Sequence, residues 1–173
     1  MSLHVARQWD MPHKHTFKIA TVQSVLRRFV GNGDGWADPF ANNHSPAEHT
    51  NDLNPETAAK HHMDAFEFLQ TFQADSLAGV LLDPPYSMHQ VTMSYKGYGK
   101  ERVNALTPVY DEAQRIVRPN GYVITFGWNS NGLGSVRGFD MLEVIIIPHG
   151  GHHNDTIITV ERKVAQTAEL FAV

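Results

Sequence analysis

A continuous apolar run, AGVLLDPP at residues 78–85, restricts the fold of this chain more than any other stretch of its sequence. An uninterrupted run of this length, bounded by turn residues, is typical of a strand buried on both faces of a parallel sheet. Pro84 and Pro85 lack the backbone N–H that a strand ladder needs, so they are expected at the strand end. The run therefore predicts a buried strand that ends at a carboxylate, Asp83.

Helical and extended patterns alternate along the rest of the chain. Apolar spacing and helix-start residues predict helices at 17–30, from Pro55-Glu56, from about Ala65 to 73, and at 102–117. Short apolar runs between turn residues predict strands at 36–40, 49–54, 122–128, 139–148 and 154–162, with a further candidate at 61–63. The segment HGGHH joins the last two strands and predicts a hairpin. Together the elements predict an α/β fold with a mixed, mostly parallel sheet, an antiparallel C-terminal hairpin strand and helices on both faces.

The bulk composition excludes several classes of protein. A chain of 173 residues with 42% hydrophobic content suits one compact domain. Because it has no run of eighteen apolar residues and no apolar core near its start, neither a membrane span nor a signal peptide is expected. The absence of cysteine removes disulfides, thiolate metal sites and cysteine nucleophiles, and is compatible with a cytoplasmic protein. A net charge of −4 argues mildly against a non-specific nucleic-acid binder.

Two of the predicted strands end in the same way. One ends in Asp-Pro-Phe at 38–40, and the other ends in Asp-Pro-Pro-Tyr at 83–86. In open α/β sheets, ligands bind at the carboxyl ends of the strands. A carboxylate and rigid backbone carbonyls can accept hydrogen bonds from an exocyclic amine, and an aromatic ring can stack on a flat ligand. The two strand ends therefore indicate a site for a planar ligand that carries an amine.

Both motifs resemble those of the amino-group DNA methyltransferases. LLDPPYS is similar to the family's catalytic motif, Asp/Asn/Ser-Pro-Pro-Tyr/Phe, of which the Asp form is commonest in enzymes that act on adenine N6. WADPFANN resembles the family's first motif. The resemblance spans roughly residues 13–162 and is most specific at this DPPY motif. It implies a Rossmann-like methyltransferase fold over one domain, 1–173, with no separate target-recognition domain, S-adenosyl-L-methionine as cofactor, and methylation of adenine N6 in DNA.

The resemblance also implies roles for individual residues. The implied catalytic residues are Asp83, Pro84, Pro85 and Tyr86. The implied cofactor-binding residues are Thr16, Phe17, Asp38, Pro39, Phe40, Ala41, Asp52, Asp64 and Ala65. Asp52 is expected to hold the cofactor ribose, with Asn51 and Asn54 as competitors. Asp64 is expected to contact the cofactor adenine, or else to cap the helix that begins near Ala65.

The first motif departs from the family pattern. Asn42, Asn43 and His44 stand where the family usually has glycines. Asparagine is among the residues most tolerant of a positive φ, so the turn is expected to survive. Only eight residues separate Phe40 from His49, which predicts that the usual crossover helix is shortened to a turn or two.

Partners and alternatives follow from the remaining features. The loop at 87–100 and the start of the predicted helix at 102–117 carry Lys96, Lys100 and Arg102, which are expected to meet the phosphate backbone of DNA. A homodimer or a specificity partner is compatible with so small a catalytic domain. Alternative activities are methylation of RNA adenine, cytosine N4 or a protein glutamine, and a catalytically degenerate binding module is an alternative of another class. The histidines of HGGHH could ligate zinc, but the hairpin is favoured and no metal is expected.

Overall fold

The structure is a computed structural model that describes residues 2–85, 106–151 and 154–165. Its strands are β1 His4–Arg7, β2 Trp36–Asp38, β3 His49–Thr50, β4 Leu77–Leu82, β5 Val117–Gly127, β6 Phe139–Ile147 and β7 Thr156–Lys163. Its α-helices are α1 Ala20–Phe29, α2 Ala65–Gln70 and α3 Leu106–Ile116, and single 3-10 turns lie at Thr16–Lys18 and Ser135–Arg137. The predicted loop at 87–100 and the predicted helical residues 102–105 lie outside the described residues.

The described strands form one seven-stranded sheet in the order β1-β6-β7-β5-β4-β2-β3. Strand β7 runs antiparallel to both of its neighbours, β5 and β6, and the other pairings are parallel. The predicted mixed sheet with an antiparallel closing hairpin is confirmed. The carboxyl ends of β2, β3, β4 and β5 meet at one side of the sheet, which is called the carboxyl edge below.

Helices cover both faces of the sheet, as predicted. Helix α1 packs on one face, where Leu81 and Ile124 belong to its cluster of buried side chains. Helices α2 and α3 pack on the opposite face, where the neighbouring residues Val80, Leu82 and Val123 belong to a second cluster. Because successive side chains of a strand point to opposite faces, every residue of Val80–Leu82 is buried, and this explains the uninterrupted apolar run.

The predicted helix from Pro55-Glu56 is wrong, because residues 55–60 form turns. The Asn54 side-chain Oδ1 accepts a hydrogen bond from the Glu56 N–H at 2.9 Å, and its backbone carbonyl accepts from the Thr57 N–H at 3.2 Å. An asparagine that bonds its own backbone in this way offers the chain an alternative to a helix. The candidate strand at 61–63 is reduced to one parallel bridge between Asn51 and His61.

Strand β1 is absent from the sequence-based prediction. It pairs parallel with β6, and the Gln8 N–H continues the pairing to the Ile146 carbonyl at 3.0 Å. Glu143 on β6 reinforces the contact, since its carboxylate lies 2.9 Å from both His4 Nδ1 and Arg28 Nη2. An edge strand of four mostly exposed residues leaves no alternating pattern in the sequence.

Helix α1 begins later than predicted and is capped from a distance. The Asp10 carboxylate accepts hydrogen bonds from the Thr21 N–H at 2.8 Å and from its hydroxyl at 3.0 Å. This contact fixes the segment before the helix against its first turn. None of the helices in the described residues has the length and apolar content needed to cross a bilayer.

Glu161 of β7 is a buried carboxylate that holds the connection between β5 and β6. It accepts hydrogen bonds from the N–H groups of Leu133 at 2.7 Å and Gly134 at 2.8 Å. Burial raises the pKa of Glu161, and the two N–H groups oppose that change. Gly132 has a φ of 56°, and a Cβ there would lie 2.2 Å from the Glu161 carboxylate, so the close approach requires glycine.

Replacing Glu161 with alanine should lower the free energy of unfolding by about 2–4 kcal/mol, because two buried N–H groups lose their acceptor. Urea denaturation monitored by circular dichroism at pH 7 measures the change. Asp140→Asn, at an exposed position of β6, is the matched control and should stay within about 0.5 kcal/mol of the parent. A Glu161→Ala variant as stable as this control would contradict the prediction.

Candidate functional site

A cleft of about 500 Å³ opens at the carboxyl edge, within the volume range of small-molecule sites. It brings together four segments that are distant in sequence: 14–17, 40–44, 52–57 and 83–85. Its lining residues are Lys14, His15, Thr16, Phe17, Phe40, Ala41, Asn42, Asn43, His44, Asp52, Asn54, Glu56, Thr57, Asp83, Pro84 and Pro85. The cleft therefore joins the predicted cofactor turn to the predicted catalytic motif.

The fully buried side chain of Asn51 fastens the loops beneath the cleft. Its Nδ2 donates to the carbonyls of Pro39 at 3.2 Å and Met63 at 3.0 Å, and its Oδ1 accepts from the Met63 N–H at 3.1 Å. Its backbone N–H donates to the Asp38 carbonyl at 2.9 Å, and its own carbonyl accepts from the Ala41 N–H at 2.8 Å. Asn51 thus connects three segments and has a structural role that no sequence pattern indicated.

Asp52 is the acid that follows β3 and lines the cleft. Its Oδ2 accepts from the Asn42 N–H and its Oδ1 from the Asn54 N–H, each at 2.9 Å. Burial raises the pKa of Asp52, and these two hydrogen bonds partly offset the effect. Of the three residues weighed for the ribose, Asn51 lies beneath the site, whereas Asp52 and Asn54 line it.

The turn that replaces the family's glycines keeps the glycine-like backbone. Asn42 has a φ of 49°, in the left-handed region that asparagine tolerates better than most residues. Asn43 makes a contact that glycine could not, because its Oδ1 accepts from the Ala58 N–H at 2.7 Å. Residues 41–48 contain no helix, as the short spacing predicted.

Asp38 ends β2 as a fully buried carboxylate below the cleft. Its Oδ1 accepts from the Phe40 N–H at 2.9 Å, whereas its Oδ2 is buried without a hydrogen-bond partner. Burial raises the pKa of Asp38 to about 7; the Ser45 hydroxyl and the Phe40 N–H act against this rise, and the carboxylates of Asp83 and Asp52 add to it. An unpaired buried carboxylate is costly, so a cation or a hydrogen-bond donor in the cleft above it would be favoured.

Asp83 follows β4 at the cleft wall, and Pro84 and Pro85 line the same wall. Burial raises the pKa of Asp83 to about 6, while a hydrogen bond from the Thr16 hydroxyl acts in the opposite direction. Thr16, expected as a cofactor contact, therefore also positions the predicted catalytic carboxylate. Tyr86 and the expected DNA contacts Lys96, Lys100 and Arg102 lie outside the described residues.

The other predicted cofactor residues divide into two groups. Phe40, Ala41 and Phe17 line the cleft, and the Phe17 ring packs edge-on against Phe126 with centroids 5.2 Å apart. Pro39, Asp64 and Ala65 do not line this cleft. Asp64 caps α2, since its Oδ1 accepts from the Phe66 N–H at 2.9 Å and the Glu67 N–H at 3.3 Å. The cofactor contacts of Asp64 and Ala65 stay predictions.

Sequence reasoning missed a group of basic side chains that line the cleft. Lys14, His15 and His44 line it, and the rings of His15 and His44 meet edge to face with centroids 4.6 Å apart. The buried Nδ1 of His15 has no hydrogen-bond partner. Within residues 2–85, 106–151 and 154–165, no group of three or more His, Cys, Asp or Glu side chains could hold a metal ion; His152 and His153 lie outside these ranges.

No protein-family model matches this chain, and no curated protein matches it in sequence. Comparison with solved structures nevertheless finds the same fold. The 1,6-didemethyltoxoflavin-N1-methyltransferase of Burkholderia thailandensis, crystallised with 1,6-didemethyltoxoflavin and S-adenosylhomocysteine, is 12% identical, with a TM-score of 0.55 over 84% of this chain and 78% of that one.

Two further structures give similar values. TrmN from Thermus thermophilus has a TM-score of 0.55 at 15% identity over 84% of this chain, which spans only 49% of TrmN. The N-methyltransferase NodS from Bradyrhizobium japonicum has a TM-score of 0.52 at 10% identity over 83% of this chain and 94% of that one. At these identities the likeness concerns the fold. This chain has the Rossmann-like methyltransferase fold.

Proposed function

We propose that this chain is an S-adenosyl-L-methionine-dependent methyltransferase that methylates the exocyclic N6 amine of adenine in DNA. The observation that carries the proposal is the position of Asp83, which stands with Pro84 and Pro85 in the wall of a cleft at the carboxyl edge of a methyltransferase fold. The Asp-Pro-Pro-Tyr resemblance supports adenine N6 as the acceptor, and the fold supports the cofactor.

The chemistry of the cleft fits this cofactor. S-adenosyl-L-methionine would supply a methyl group on a positively charged sulfur, and it also carries an ammonium group and ribose hydroxyls. Asp52 offers a carboxylate for the hydroxyls, and the buried Oδ2 of Asp38 offers an acceptor without a hydrogen-bond partner. Phe40 and Phe17 provide apolar rings for the flat and aliphatic parts of the ligand.

Asp83 and the Pro84 carbonyl would act on the acceptor amine. Both accept hydrogen bonds from it, which keeps the nitrogen lone pair from delocalising into the base and directs it at the methyl group. A bond forms between nitrogen and the methyl carbon, the bond from that carbon to sulfur breaks, and the Asp83 carboxylate accepts the released amine proton. Positioning and electrostatics suffice, so the reaction needs no covalent enzyme intermediate.

The acceptor base must leave the helix to reach this cleft, because an adenine amine inside a duplex is not accessible. The proposal includes base flipping, with the Tyr86 ring stacked on the extruded base. RNA adenine and cytosine N4 offer the same amine chemistry. The binding-module alternative rests on the altered glycine turn, and the left-handed backbone of Asn42 supports the enzyme because the turn keeps a glycine-like conformation there.

Incubation of the protein with isotope-labelled cofactor and either DNA or RNA, followed by digestion to nucleosides, tests the proposal. Label in N6-methyladenosine from DNA is the expected result. Label in N4-methylcytidine or in RNA would reassign the substrate, and cofactor binding without any transfer would favour the binding module.

Replacing Asp83 with asparagine should reduce methyl transfer by about 10²-fold or more, because the variant loses the charged acceptor for the amine and its proton. Isothermal titration should show cofactor affinity within about threefold of the parent, since Asp83 acts on the acceptor. Asp140→Asn is the matched control and should retain full activity. A fully active Asp83→Asn enzyme would refute the role of Asp83.

Activity should fall as the pH is lowered through about 6, the raised pKa of Asp83. Above this value the carboxylate is charged, accepts the amine hydrogen bond and can take up the amine proton; below it the protonated group is a weaker acceptor and cannot take up the proton. Measurement of kcat/KM between pH 5 and pH 8 should show an acidic limb centred near pH 6. A profile that stays flat across this range would contradict the assignment.

Replacing Asp52 with alanine should weaken cofactor binding by about 10-fold or more. The variant loses the proposed ribose acceptor and also frees the N–H groups of Asn42 and Asn54 that shape the turn. Calorimetric titration with cofactor gives the affinity, and thermal unfolding shows whether the fold persists. Unchanged affinity in a folded Asp52→Ala protein would exclude Asp52 from the cofactor site.

A further inference from the structure

The segment from Trp9 to Lys18, here called the N-terminal arm, is fixed to the body of the protein at Asp10, between two exposed apolar residues. The backbone carbonyl of Asp10 lies 3.0 Å from His149 Nδ1, and its carboxylate holds the first turn of α1. Trp9 and Met11, on either side of Asp10, are nevertheless 62% and 63% exposed. Rigidly presented apolar side chains of this size at a surface commonly mark a binding site.

A cluster of basic side chains lies at the mouth of the cleft. Its members are Lys14, Lys18, His13 and His15 in the second half of the arm, and His44 in the turn after β2. In the part of the chain that the structure describes, none of the five forms an ion pair with a carboxylate. Burial first, and then the neighbouring positive groups, lower the pKa values of His15 and His44, so these two rings favour the neutral form at pH 7. Lys14 and Lys18 remain positively charged and lack a counter-charge among the described residues.

One cofactor carboxylate does not account for the cluster. Lys14, His15 and His44 line the cleft, but Lys18 and His13 are exposed and lie outside its lining. An elongated polyanion matches this arrangement of charge better than a single carboxylate.

We infer that the N-terminal arm is a DNA-contacting surface, on which Lys14 and Lys18 bind backbone phosphates beside the target nucleotide and Trp9 packs against a base or sugar. The inference rests on the proposed function, since an adenine that enters the cleft must bring its flanking phosphates close to the N-terminal arm. Basic side chains combined with an exposed aromatic ring are the usual elements of a nucleic-acid surface.

The test compares two double variants of the full chain that remove equal charge. K14A/K18A alters the arm, whereas R27A/R118A removes two exposed arginines from the far end of α1 and the start of β5. Fluorescence anisotropy with a labelled adenine-containing DNA duplex gives the affinity and its salt dependence. The titrations are made without cofactor at about 50 to 300 mM salt. Thermal unfolding of each variant controls for the fold.

K14A/K18A should weaken DNA binding by about 10-fold or more at low salt and make the slope of log K against log salt shallower by about 1.8, the value for two lost phosphate contacts. R27A/R118A should change the slope by less than about 0.5. W9A should weaken binding with no change of slope, because stacking is not a charge contact.

Equal effects of the two double variants, no effect of K14A/K18A, or a parent chain that binds no DNA would each overturn the inference. Loss of cofactor affinity in K14A/K18A with unchanged DNA affinity would also overturn it, by assigning the lysines to the cofactor carboxylate. Methylation by the parent, measured in parallel, separates the two proposals. If the parent methylates DNA while K14A/K18A binds normally, the arm is excluded and the proposed function stands.

Discussion

The geometry of the cleft depends on the side-chain amide of Asn51. Its hydrogen bonds link the loop after β2 to residues 61–63, and its backbone continues the link to Asp38 and Ala41. A buried hydrogen bond contributes about 1 kcal/mol to stability, whereas a buried polar group left without a partner costs about 1–3 kcal/mol. Loss of the Asn51 amide would leave several of its partners without a hydrogen bond at once. Asp52 is the next residue in the chain, and the fixed backbone of Asn51 orients its side chain toward Asn42. A structural asparagine thus sets the position of the acid that lines the site.

Charge is distributed unevenly around the cleft. Asp38, Asp52 and Asp83 are near enough for the other two carboxylates to raise the pKa of Asp38, and burial raises the pKa of all three. Lys14 and its neighbouring histidines line the same cleft. Because desolvated carboxylates without counter-ions are costly, the acidic side favours positive charge or hydrogen-bond donors, whereas the basic side favours anions. A ligand with both kinds of group fits this arrangement, as does a cationic cofactor next to a polyanionic substrate.

The features that the sequence predicted best are those fixed by strong local constraints, namely burial on both faces of a strand and the position of prolines. The run at 78–82 is uninterrupted because both of its faces are covered, and the prolines after it mark the strand end, so β4 and the position of Asp83 were predictable. The helix from Pro55 failed because the Asn54 side chain forms a turn that a helix-start pattern does not weigh. Strand β1 lacks any periodicity, since it lies exposed at the sheet edge. Lys14 and His15 reach the cleft only through tertiary contacts of the N-terminal arm, which residue spacing cannot show.

The asparagine at position 42 has a consequence for the unfolded chain. Glycine at position 42 would adopt the observed φ of 49° without strain, but it would leave the unfolded polypeptide with many more backbone conformations to lose. Asparagine accepts some strain in the native turn and reduces that entropic loss on folding. The hydrogen bond from the Asn42 N–H to Asp52 stabilises the turn in this conformation. This turn therefore costs less conformational entropy to form than a glycine turn of the same shape would.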